Sequence, residues 1–570
     1  MKNAIFLLAI LCCFCTTNAQ TGNIGIGTTT PDSKALLEIS SSNKGFLPPR
    51  LSEDSLNAMG AVTEGMLAFN TTRKCMMLYS NGSWNCMSGN TSADKFQVTA
   101  TSFFSGADSS TLSEILDMET VNGNYYVAGY FVGEKLNLGN GIQLVSGPAV
   151  ATATHGFIAR YDSSGNCTWA VKLIGSVPGS VIVPRAITVN NAGSVFVTGS
   201  FNDSMYLFNS NGSLFNRLAP AVAGDYDLFI IKLHANGFVD WRRKEGSGGG
   251  VEEGLGITLT AGNVFICGQF HATQTLGSGI TRTIVSVGGQ DGFYAQYDTL
   301  TGTNCNNAIR VGGTGDDQVN DLYANLLHVY ITGSYENAVN MQVIGVIPAP
   351  VTSLGGTDMF VAKLQLGFTI FNWVLYARGT GNETGQKLAL NNAQLYVAGN
   401  FSSNNTSFRL DHVTASGTPP SQNSKGSTDI MVFRVNDTNG EYDPIGGSSP
   451  SWISSIGGTA ADAVRSLDVG TNFCFVAGDF TLNATFENGY PLYGSGGLDG
   501  FAAVLSTATG DLHKVTSIGS PFTDKCNALV QRSNGDLAIA GSCSQTVNYN
   551  GTSSGKPVSG TRQAFMWVLK

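Results

Sequence analysis

The sequence predicts an all-β fold: a seven-bladed β-propeller of four-stranded blades behind a small β-rich head. Three observations carry that expectation. A short pattern (an aromatic or aliphatic pair, a small residue, a glycine, then usually an aromatic) occurs seven times. It reads YVAGYF at 126–131, FVTGSF at 196–201, FICGQF at 265–270, YITGSY at 330–335, YVAGNF at 396–401, FVAGDF at 475–480 and AIAGSC at 538–543. Its glycines (Gly129, Gly199, Gly268, Gly333, Gly399, Gly478 and Gly541) are 63 to 79 residues apart, and a β-rich repeat of regular period is the mark of a propeller or solenoid. A second, eight-residue segment accompanies each copy, from HGFIARYD (155–162) through DGFYAQYD (291–298) to QAFMWVLK (563–570), with the near-alternation and length of one strand. Finally, charged residues are only 12% of the chain and glycines number 71, a turn-rich composition far from the usual charged share of about 25%.

The elements follow in order. Lys2, the apolar run 4–14 and the small residues TNA at 17–19 make a secretory signal, with cleavage expected after Ala19. Cys12, Cys13 and Cys15 raise a lipoprotein alternative, but Leu11, Cys12 and Phe14 stand where that processing wants a small residue. Residues 20–87 form the head. There SEDSLNAM (52–59) predicts a short helix with Ser52 as N-cap. The stretch from Gly65 to Trp84 reads as two strands and a hairpin, turned at Asn81-Gly82. Residues 88–95 are small and polar, a linker.

From 96 onward each repeat runs in one order: an apolar strand, the glycine strand, a variable Gly/Ser/Thr segment, the second-signature strand, and a strand that often opens with Trp, as at 169, 241, 373 and 452. Four strands per repeat make a propeller blade. The seventh second-signature strand ends the sequence, so that blade lacks a fourth strand, while FQVTATSFFSG (96–106) precedes the first complete repeat. Residues 97–104 are therefore expected to pair antiparallel with 563–570, which also removes an open edge.

Two resemblances add to this reading. IGIGTTTP, GFLPPR and the hairpin ending in YSNGSW make the head similar to a tail-fibre-like segment at the start of many bacterial cell-surface proteins, some of which trimerise. The repeats, most closely at 290–298, 330–334 and 357–364, resemble the bacterial exported seven-bladed β-propeller surface repeat. That resemblance implies the fold and an exported location, and no reaction.

The residues that could carry chemistry are few. Asp227, Asp291, Asp358, Asp429 and Asp499 open the second signature; a residue used once per blade reads as a turn acid accepting backbone N–H bonds. A second acidic position is read at Glu253, Asp317, Glu383, Asp462 and Asp524, with Asp108 as an equivalent. The pairs Glu252/Glu253 and Asp316/Asp317 lack the ligand number calcium wants. His155 and His234 take signature positions as turn residues, and no two histidines stand at metal-ligand spacing. No metal, cofactor or catalytic residue is assigned. After removal of the signal, eight cysteines remain. A two-residue loop at Asn534-Gly535 would pair Cys526 with Cys543 as a disulfide; a three-residue loop would set Cys526 opposite Ser542.

A net charge of −9 without any basic run argues against nucleic acid, and the apolar run at the start is too short to span a membrane comfortably. The expected function is a non-enzymatic binding, adhesion or structural module, secreted or on the cell surface. Its ligand would be a protein or glycan, met by the long loops 202–226 and 402–428, with self-association through the head. The alternative is an enzyme acting on polysaccharide or glycoside at the axial face, for which two acids converging there from different blades would speak.

Overall fold

The computed structural model describes residues 23–60, 62–71, 75–80, 83–87, 98–103, 105–106, 112–246, 249–260, 262–344, 350–404, 406–410, 421–440, 452–487, 489–532, 535–544, 548–549, 552–553 and 562–569. The signal segment, the linker 88–95, Asp108 and Asn534 lie outside them. The chain divides into two compact units, 1–92 and 93–570. Strands are the main regular element in both, and the helical segments among the described residues are the α-helix Glu53–Ala58 and the 3-10 turn Pro148–Val150.

In the first unit, Ile24–Ile26 pairs in parallel with Leu37–Ile39. Arg50–Leu51 pairs in parallel with Leu67–Asn70, followed by Cys75–Ser80 and Ser83–Met87 in one sheet of four. Ser80 lies opposite Ser83, and the expected turn residues Asn81 and Gly82 lie outside the described residues. Ser52 caps the helix: its Oγ accepts the Ser55 N–H at 3.2 Å. The core is small, centred on Leu56, Ala68 and Met77.

The second unit consists of seven modules of four antiparallel strands, in sequential order in the first six. Their first strands are Leu112–Val121, Ile182–Val189, Glu253–Thr260, Gln318–Ala324, Glu383–Asn391, Ala463–Val469 and Lys525–Gln531. Module 2 continues Val195–Phe201, Asp227–Leu233 and Val239–Glu245. Module 7 takes Leu537–Cys543 and Gln563–Leu569, and its fourth strand is Val98–Phe103, from before module 1. Phe103 lies opposite Phe565, Thr101 opposite Trp567 and Val98 opposite Leu569.

Successive modules are tied by the same devices. The indole N–H of Trp169, Trp241, Trp373 and Trp452 donates to a carbonyl in the next module's turn, at Ala235, Thr299, Asp437 and Thr507, over 2.9 to 3.1 Å. The turn glycines Gly237, Gly302, Gly440 and Gly510 have φ between 65° and 79° and press on those rings. A Cβ on any of them would come within 2.5 to 2.8 Å of the indole, so both conformation and space require glycine. First strands also join directly, as where Ile187 N–H reaches Asp117 and Leu388 N–H reaches Asp321, each at 2.8 Å. Module 7 meets module 1 through Asn527, whose amide donates to Glu114 and to the Ile115 carbonyl at 2.8 Å.

Parts of the variable segments are paired strands. Met205–Phe208 and Leu214–Leu218, inside 202–226, form a hairpin that pairs with module 1's fourth strand, Cys167–Gly175. Thr406–Leu410, inside 402–428, pairs with Phe371–Arg378 of module 4 in the same way. Lys135–Asn137 of module 1 pairs with Ser105–Gly106, just after module 7's fourth strand. Unpaired N–H and C=O groups on outer strands recruit these inserts, so the segments serve as clasps between modules.

The disulfide is not formed: Cys526 and Cys543 are both free and buried. Gln531 lies opposite Leu537, the register of the longer loop, and a bulge at Asn527 slips it one residue further, setting Cys526 opposite Gly541 and leaving Cys543 opposite Gln563.

Candidate functional site

The seven repeat glycines acquire a common role. Each first strand bulges at one position, leaving Leu116, Arg185, Leu255, Asn320, Gln386, Arg465 or Asn527 without a partner residue. The repeat glycine on the second strand sits at that bulge. A Cβ there would lie 1.8 to 2.7 Å from a first-strand carbonyl, such as Gln318 O for Gly333. Glycine is what lets the bulge exist, and the bulge re-aims one side chain per module.

All seven bulged residues line one pocket of about 510 Å³. Glu114, Tyr130, Thr154, Lys387 and Lys525 line it with them. Three carboxylates hold its cations. Glu114 contacts Arg562 at 2.7 Å, Lys525 at 3.3 Å, Asn527 at 2.8 Å and the Tyr130 hydroxyl at 2.9 Å. Burial alone would raise its pKa, but Arg562 and Lys525 outweigh that and hold it below the ordinary glutamate value. Glu253 contacts Arg185 at 2.8 Å and accepts from Ser200 and Gln269. Asp479 contacts Arg465 at 2.7 Å and accepts the Cys526 N–H at 3.1 Å.

Beyond the bulges a second charged group gathers. Lys387 is held protonated against its burial by Asp321 and Asp117. Burial pushes Asp117 up to about 6 and Glu119 up to about 8. Among the described residues no cluster of His, Cys, Asp or Glu is arranged to hold a metal ion.

The recurring aspartates lie elsewhere, on the third strands: Asp227, Asp291 and Asp429 begin them, while Asp358 and Asp499 lie within Val351–Gln365 and Pro491–Ser506. Asp227, Asp291, Asp358, Asp429 and Asp499 are all buried. Each accepts a backbone N–H from the turn before it: Ala221 at 2.6 Å, Val287 at 2.6 Å, Leu354 at 2.8 Å, Lys425 at 2.5 Å and Ser495 at 2.5 Å. His155 fills the same place in module 1 and accepts the Gly175 N–H through Nδ1 at 3.2 Å. His234 lies in a turn, its N–H donating to Phe238 O.

The sequence reading did not foresee that four of these aspartates would meet the second acids. Asp291 faces Asp317, Asp358 faces Glu383, Asp429 faces Asp462 and Asp499 lies beside Asp524. Burial, reinforced by the neighbouring acid, lifts Asp317, Glu383 and Asp462 to about 7 and Asp499 to about 6; burial lifts Asp524 to about 6. In module 3 the buried residue before the first strand is Glu252, while Glu253, the residue read from the sequence, turns to Arg185. The spacing of 25 residues from Asp227 to Glu252, repeated from Asp358 to Glu383 and from Asp499 to Asp524, was the available signal.

Residues 25–101 match the model of a phage tail like trimerisation region. No curated protein matches the chain. The matched region makes oligomerisation a property to expect of this chain. It carries a dense set of exposed apolar side chains, with Leu36, Phe46 and Leu47 65 to 79% accessible. Among the described residues no helix is long and apolar enough to cross a membrane.

Proposed function

We propose that the seven modules close into a seven-bladed β-propeller, and that this exported protein is a binding module whose ligand enters the pocket at the bulged residues. The head gathers several copies, so that weak single sites act together. The observation that carries the reading is the pocket itself, lined by one bulged residue from every module. Its volume falls in the range of small-molecule sites. The pairing of Val98–Phe103 with Gln563–Leu569 and the Glu114 contacts between modules 7 and 1 support the ring.

The enzyme reading has one observation in its favour: Glu114, Glu253 and Asp479 approach the pocket region from three modules. Each is engaged by a cation, which suits a fixed ionised support better than a proton donor of raised pKa. A glycan array probed with the full chain tests both readings, with Leu255→Trp as a variant that fills the pocket. Binding that the variant abolishes, without release of sugar from the bound glycan, is the expected result. Unchanged binding refutes the pocket, and hydrolysis moves the protein to the enzyme class.

A further inference from the structure

At all three ion pairs of the pocket the acid is the buried partner and the cation the exposed one. Asp479 is 0% and Arg465 42% accessible; Glu253 is 12% and Arg185 36%; Glu114 is 2% and Lys525 24%. The buried acids are occupied from behind, Glu253 by Ser200 and Gln269, Asp479 by the Cys526 N–H, and Glu114 by Tyr130 and Asn527. They act as fixed counter-charges that orient the cations. Arg465 engages Asp479 through Nε, so both terminal nitrogens of its fork stand outside that ion pair. A guanidinium carries five N–H donors in a plane that matches two oxygens of an anion.

The three cations come from modules 2, 6 and 7, and Lys387 from module 5 lines the same pocket. An entering ligand therefore meets positive groups although the chain as a whole is acidic, with a net charge of −9. Desolvated ion pairs of this kind are weak sources of stability, which leaves recognition as the better account of why three of them surround one cavity.

We propose that the pocket takes an oxyanion, the carboxylate or sulfate of an acidic ligand about the size of a sugar unit, between Arg185, Arg465 and Lys525. This rests on the reading of the pocket as a binding site. The test is calorimetric titration of the full chain with glucuronate, with glucose 6-sulfate, and with glucose as the neutral probe. At least one acidic probe is expected to bind ten-fold or more tightly than glucose, and which one binds separates carboxylate from sulfate. The preference is expected to weaken with salt, and Arg185→Gln with Arg465→Gln is expected to reduce it at least ten-fold. Because loss of Arg465 strands the buried Asp479, the second variant is Arg465→Gln with Asp479→Asn, which removes the exposed cation together with its buried counter-charge and so keeps the net charge. It too must lose the oxyanion. Equal binding of glucose and both acids, binding of none of them, or full acid binding by the charge-conserving variant, overturns the proposal. Should the glycan-array ligand be lost in Leu255→Trp but kept in the arginine variants, the oxyanion fails while the pocket stands; should Leu255→Trp change nothing, the pocket itself fails.

Discussion

A single hydrogen-for-methyl exchange separates the two kinds of glycine in this chain. Gly123 adopts φ 75° in a hairpin turn with nothing within 4 Å of a Cβ, so alanine there meets only backbone strain. Gly333 has room for nothing: its Cβ would sit 1.9 Å from the Gln318 carbonyl, a backbone atom that cannot swing aside. Gly333→Ala is expected to cost about 3 kcal/mol and Gly123→Ala about 1 kcal/mol, read from urea unfolding of both variants; equal losses would show that the bulge yields easily. The position of these glycines was plain in the sequence, but their reason was not. A bulge is a property of two strands in register, and a one-residue slip leaves the hydrophobic pattern of either strand looking ordinary. Arg185 in IVPRAITV and Arg465 in AVRSLDV interrupt apolar strands, which is how the bulge shows in a single strand. The disulfide expectation failed for two causes: Gln531 pairs with Leu537, the register of the longer loop, and the bulge at Asn527 then moves Cys526 one residue further from Cys543.

Strands and their order within each repeat were legible because hydrophobic periodicity and turn residues are local signals. The inserts were not: 202–226 reads as a long loop, yet its hairpin is recruited by the open edge of Cys167–Gly175, a partner in another module. The fourth strand of module 7 is the long-range case. Val98–Phe103 covers the edge of Gln563–Leu569, and the following Ser105–Gly106 pairs with Lys135–Asn137 of module 1. Deleting 96–106 removes both pairings at once and exposes an apolar strand edge. It is expected to lower Tm far more than deleting the whole head, 20–88, which leaves both pairings intact. Thermal melts of the two truncations decide, and equal loss would mean that module 7 does not depend on this strand. At the same junction Trp567 is nearly fully buried opposite Thr101, so quenching of its fluorescence by iodide is expected to rise in the first truncation and stay low in the second.

The whole molecule inherits a pH dependence from its buried acids, and the sign follows from which way each is shifted. Asp317, Glu383 and Asp462 are raised to about 7, and Asp499 and Asp524 to about 6, well above unfolded carboxyls near 4. The folded state therefore holds protons that the unfolded chain has released, and the stability they confer is full below about pH 4 and lost as pH rises through 6 to 7. In each pair one proton is shared between two carboxyls; its loss leaves two like charges in one buried site. Glu114 and His155 work the other way. Glu114 is lowered, so its contribution is present above its ordinary value and lost on acidification; burial first, opposed by its bond to the Val150 carbonyl, lowers His155 to about 4, and its contribution is likewise lost as pH falls through that range. Five raised carboxyls outweigh these two groups, so Tm is expected to be highest near pH 4 to 5, to fall from there to about pH 7, and to level off above it. Asp317→Asn keeps the shape of the pair, removes its second charge, and is expected to flatten that fall, whereas Asp316→Asn at an exposed neighbour leaves it unchanged. Scanning calorimetry of the three proteins between pH 4 and 9 is the measurement. A wild-type Tm that is flat or rising between pH 5 and 7 would mean that the carboxyl pairs are not sharing protons, and that the modules are joined there by ordinary turn acids alone.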